Sequence, residues 1–90
     1  MNKERRAALA KLHAEADDLK GKLDDLKSQV EALRDEEQDY FDAMHENLQG
    51  GEKGQAAEAA VEQMDNAMSS LDDALSNLED AMSNLDDAGQ

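Results

Sequence analysis

Ninety residues, with 23 Asp and Glu against nine Lys and Arg, carry a formal charge of −14 and make one small domain at most. The absence of Cys excludes a disulfide framework, a thiolate metal site and a cysteine nucleophile, and so negative a field disfavours direct binding to nucleic acid. With no Pro, only 2% aromatic residues and few β-branched ones, the composition lacks the material of a sheet and suits long helices.

The first residues, MNKERRAALAKLHAEADDLK, are partly basic but contain no apolar stretch of the secretory kind. No later run approaches the roughly 20 apolar residues of a membrane span. The expectation is a cytoplasmic protein without membrane contact.

A helix is predicted over about residues 3–48. Within it Leu9, Leu12, Ala16, Leu19, Leu23, Leu26, Val30, Leu33, Glu37, Tyr40 and Met44 step by alternating threes and fours. That is an a/d heptad seam of about five repeats. High net charge and low hydropathy are also marks of disorder, and this periodicity decides against it.

A Gly-rich turn is predicted over about 49–54, QGGEKG. Gly50 and Gly51 are expected to take the left-handed conformation that ends a helix. A second helix follows over about 55–88, where Val61, Met64, Met68, Leu71, Leu75, Leu78, Met82 and Leu85 repeat the seam. A short connector between two such helices implies an antiparallel hairpin. Folding the chain between Gly50 and Gly51 sets Leu23 against Leu78 and Leu19 against Met82, an a position opposite a d position each time.

Charge supplies an independent check. The e column of the first helix reads His13, Lys20, Lys27, Arg34, and that of the second reads Asp65, Asp72, Glu79, Asp86. Antiparallel coiled coils bring e against e, so bases should face acids. Each exposed pair is worth only about 0.2–1 kcal/mol, enough to set register rather than to hold the fold.

The predicted fold class is therefore all-α, a single domain over residues 1–90 built as an antiparallel two-helix coiled-coil hairpin. A lone hairpin buries little, and domains of this size usually need a staple or a partner. Ala60, Ala67, Ala74, Ala81 and Ala88 form a small-residue g column beside the second seam. The column widens the apolar stripe and invites another helix, so self-association into a four-helix or larger bundle is expected. Helix propensity alone is the competing explanation of those alanines.

Acidic doublets recur at Asp17–Asp18, Asp24–Asp25, Asp72–Asp73, Glu79–Asp80 and Asp86–Asp87. Their plain reading is a solvated face that keeps the protein soluble. Their functional reading is a mimic of nucleic-acid phosphates. Catalytic and metal signals are missing: His13 and His45 are far apart, and no HExxH or calcium loop occurs. No catalytic residue, metal ligand or cofactor is predicted, and the protein reads as a non-enzyme.

The stretch YFDAMHENLQGGEKG breaks the regularity, holding the only Tyr, the only Phe and three of the five Gly. Glu37 occupies an a position, where an unpaired buried carboxylate would be costly unless Arg34, a ligand or a second chain offsets it. Rings and polar groups here can simply plug and cap the hairpin end. They are also the group types of a nucleotide site: the rings of Tyr40 and Phe41 to stack on a base, the amides of Asn47 and Gln49 to read its edge, and Arg34 or Lys53 near a phosphate, with Met44 and His45 in the same stretch. With Glu37, these nine residues are the candidate ligand site.

MNKERR, the segment DEEQDYFDAMHENLQGGEKG and the acidic heptad tail together resemble a family of small acidic helical-hairpin proteins of bacteriophages and mobile elements. The family has no established activity, and it carries Pro before the Glu-Asn-Leu-Gln run where this chain has His45. The resemblance implies a phage origin. Small phage proteins of this class often counter host antiviral defence, some as sponges that withhold a nucleotide-derived immune signal. A protein-binding inhibitor or DNA mimic, and a structural coiled coil, remain the alternatives. Fold alone does not choose among them.

Overall fold

The computed structural model describes all 90 residues, and it is helical with no strand. Helix α1 spans Lys3–Asp42, a short helix α2 spans Glu46–Gln49, and α3 spans Glu52–Ala88. The long helices α1 and α3 pack against each other as an antiparallel hairpin. Neither is long and apolar enough to cross a membrane.

Local chemistry explains where the helices begin. Asn2 caps α1, its Oδ1 accepting the Arg5 amide at 2.8 Å, and Glu4 adds negative charge to the first turn. At the start of α3 the Gln55 side chain donates to the Gly50 carbonyl at 2.9 Å, and the Gln55 amide donates to Gly51 at 2.9 Å.

The connection departs from expectation. The first helix stops at Asp42, six residues early, and residues 43–45 form a bend in which the Met44 amide donates to the Phe41 carbonyl at 3.1 Å. His45 is extended, with φ −60° and ψ 143°, and its Nδ1 accepts the Asn47 amide at 3.3 Å to cap α2. The second helix starts three residues earlier than expected, so Gly54 lies inside it. Nor do Gly50 and Gly51 turn left-handed. No glycine has positive φ, and Gly50 sits at φ −80°, ψ −7°. The chain reverses through α2 rather than through a left-handed glycine cap.

The close approach is made at Gly54 instead. It is buried, and a Cβ built on it would overlap the backbone carbonyl of Gln49. Only a residue without a side chain lets α2 lie this near α3.

The chain forms two compact units, Met1–Asp25 with Leu71–Gln90, and Leu26–Ser70. Each contains one rung of the expected ladder. In the first, Lys20 Nζ lies 3.4 Å from Glu79; in the second, Arg34 Nε lies 3.6 Å from Asp65.

Burial shows an asymmetry that the heptads did not. On α3 the a and d positions are half-buried or buried, and Leu75, 8% exposed, and Ala57, 1% exposed, are the buried apolar residues of the protein. On α1 the a column is half-buried, but the d column is not. Leu12, Leu19, Leu26, Leu33 and Tyr40 are 46–58% exposed. The half-buried partners of the a column are e residues: His13, Lys20, Lys27, Arg34 and Phe41. Long basic side chains cover apolar surface with their stems while their heads reach the acids of α3. That demand turns the a/e side of α1 toward α3 and leaves its d column outside.

Candidate functional site

The tip of the hairpin, in the Leu26–Ser70 unit, holds a cleft of about 470 Å³. Tyr40, Met44, Leu48, Gly51, Glu52 and Lys53 line it. Tyr40 comes from the last turn of α1, Met44 from the bend, Leu48 from α2, and Gly51 to Lys53 from the start of α3. The early stop of α1 makes this cleft, because the bend at 43–45 redirects the chain and carries Leu48 beside Tyr40 and Met44. Tyr40 is half-exposed and Leu48 is 63% exposed, so apolar surface is open to a ligand. A volume in the range of about 300–1,000 Å³, apolar walls and few polar groups are the usual features of a small-molecule site.

Of the nine residues singled out in the sequence, three line the cleft: Tyr40, Met44 and Lys53. The other six do not, for different reasons. Phe41 is half-buried on the e column, and its carbonyl accepts the Gln49 side-chain amide at 3.1 Å. Gln49 thereby ties α2 to the end of α1. His45 caps α2, and Asn47, whose amide His45 accepts, is exposed. These residues shape the tip without facing its cleft.

Arg34 is engaged elsewhere. Its Nε lies 3.1 Å from Asp35 and 3.6 Å from Asp65, shielded from solvent and without an aligned hydrogen bond. Two carboxylates hold it by charge, and it is the ladder's rung rather than a phosphate ligand or the counter-ion of Glu37. Glu37 is half-exposed, so the cost of an unpaired buried carboxylate does not arise.

Leu48, Gly51 and Glu52 belong to the lining but were not legible as site residues in the sequence. Leu48 would sit at a helix position unrelated to Tyr40 if α1 ran through to residue 48. One signal was available: Gly54 stands seven residues before Val61, in phase with the a column, which places it inside a helix and marks a close backbone approach.

In the unit formed by Met1–Asp25 with Leu71–Gln90, a second cleft of about 360 Å³ is lined by Arg6, Leu9, Ala10, His13, Leu85 and Asp86, with Gly89 and Gln90. His13 and Asp86, the acid that the ladder assigns it, both line this cleft. No group of three or more His, Asp or Glu side chains is placed to hold a metal ion. No protein-family model matches this chain, and no curated protein or solved structure is similar to it.

Proposed function

We propose that this chain is a non-enzymatic binding protein whose tip cleft captures a small ligand carrying a flat aromatic group, such as the base of a nucleotide-derived signal. The observation that carries the reading is that half-exposed Tyr40 lines one cleft together with Met44, Leu48 and Lys53. A base stacked on one aromatic ring contributes about 1–3 kcal/mol, and the sulfur and alkyl groups beside it extend the apolar surface offered to it.

Charge shapes what such a ligand can be. Lys53 is the one cation of the lining, and Glu52 stands next to it. Arg34 is already held by Asp35 and Asp65. Affinity therefore rests on the base rather than on phosphate groups, and it should vary little with salt.

The biological role follows from the resemblance of DEEQDYFDAMHENLQGGEKG to small phage proteins. In that setting the protein acts in the host cytoplasm as a sponge, withholding a nucleotide immune signal from its effector. A specific observation favours a second reading: the acidic doublets, Asp72–Asp73 and Glu79–Asp80 among them, are solvent-exposed. An inhibitor that offers those acids to a basic host surface would lose activity on their neutralisation and would be strongly salt-dependent.

One experiment separates the two. Protein purified from infected, defence-active cells is denatured, and the released small molecules are identified by mass spectrometry. A retained nucleotide, absent from a folded Tyr40→Ala variant, supports the sponge. Protein free of nucleotide that brings down a host polypeptide, and loses it when Asp72, Asp73, Glu79 and Asp80 become amides, overturns it in favour of the inhibitor.

A further inference from the structure

The exposed d column of α1 is apolar surface at a strict seven-residue interval, which only another helix of matching period covers along its length. In the Met1–Asp25 with Leu71–Gln90 unit, Leu12 and Leu19 are both 49% exposed, and α3 carries Ala74 and Ala81 in the same unit. In the Leu26–Ser70 unit, Leu26 and Leu33 are 46% and 58% exposed, and α3 carries Ala60 and Ala67. We propose that a second copy of this chain covers these leucines, each unit seating its α1 leucines on the α3 alanine column of the other copy about a twofold axis.

Three observations select a second copy as the occupant. The first is self-complementarity. Large residues on one helix and small ones on the other, both spaced by seven, allow each copy to be knob and hole at once, as a twofold interface requires.

The second is area. The single chain leaves 6506 Å² accessible, whereas a compact monomer of its 9.9 kDa exposes roughly 5,200 Å². The difference, roughly 1,300 Å², exceeds the roughly 800 Å² per partner of a standard interface. Only Ala57 and Leu75 among apolar residues are buried without a partner, which is far short of a core.

The third is charge. Two chains of −14 meet at least cost where acids are fewest, and on α3 that side is well defined. Between residues 56 and 88 the g and c columns of α3 contain no charged residue. They hold the alanines together with Gln63, Ser70, Asn77 and Asn84, while the acids of α3 lie on its other columns. The neutral side is the side that bears the alanines.

Sedimentation equilibrium of the full chain, from micromolar to millimolar concentration, tests the proposal. The expected result is a mass twice the 9.9 kDa of the chain. Leu19→Lys with Leu33→Lys should weaken association by about 100-fold or more, because two apolar knobs disappear from each copy. Because those leucines are partly covered within the hairpin, a second variant guards against loss of fold. Ala67→Glu with Ala81→Glu alters exposed positions only and should dissociate the pair while helicity by circular dichroism is kept. A wild-type chain that stays monomeric at millimolar concentration overturns the proposal. So does a pair unaffected by the alanine variant, since α3 would then lie outside the interface.

Discussion

The paired helices and the tip of this protein are held together in different ways. Along α1 and α3, cover is spread thinly: most seam residues are half-buried, and Leu75 is the single large side chain taken out of solvent. At the tip, one backbone fit dominates, the seat of the Gln49 carbonyl against Gly54. Repetition makes the helices tolerant, because a weakened rung leaves its neighbours in place. A unique fit has no such reserve. The difference explains why the tip departs from the heptad and why the cleft is there: the chain must bend at 43–45 before α2 can reach Gly54.

Leu75→Ala should have the largest effect on stability, because it removes the best-covered side chain of the helix pair. The expected loss is about 2–4 kcal/mol, read from urea unfolding at fixed protein concentration. A loss below about 1 kcal/mol would mean that cover is uniform along the seam and that Leu75 has no special place.

Two glycine variants sharpen the view of the tip. Gly54→Ala should cost about 1–3 kcal/mol by forcing α2 away from α3, even though alanine favours a helix. Tyr40 is the only Tyr and there is no Trp, so its fluorescence reports the displaced cleft directly. Gly50→Ala should be neutral or stabilising by about 0.4–1 kcal/mol, since Gly50 has an ordinary right-handed conformation and nothing lies within 4 Å of its Cβ position. The reverse order of the two variants would break the account of the turn.

Lys20→Glu should have the smallest effect. It replaces a half-exposed rung with a like-charge pair opposite Glu79, and about 0.2–1 kcal/mol is at stake, diminishing in high salt. A loss several times larger, unchanged by salt, would show that the stem of Lys20 matters more than its charge.

Much of the fold was legible because its determinants are local or periodic. Leucines at threes and fours announced two helices, and the columns His13 to Arg34 and Asp65 to Asp86 announced which way they run. The rungs Lys20–Glu79 and Arg34–Asp65 lie where that pattern put them. The site was legible only in part. Tyr40, Met44 and Lys53 stood out by residue type, but Leu48 looked like any helix leucine. Arg34 looked free for a phosphate, yet Asp35 and Asp65 occupy it. Residue type announces what a group can do and says little about which neighbour reaches it first.

The sequence by itself determined the helices, their antiparallel sense and the pairing of bases with acids, since spacing and sign of charge survive without knowledge of distances. Tertiary structure alone decided that α1 turns its a/e side inward, that its d column stays exposed, and that the chain reverses through α2 without a left-handed glycine. Those outcomes depend on the rotation of one helix against another and on how closely two backbones approach. Both are set by side-chain volumes meeting across the interface, which no periodicity along a single helix contains.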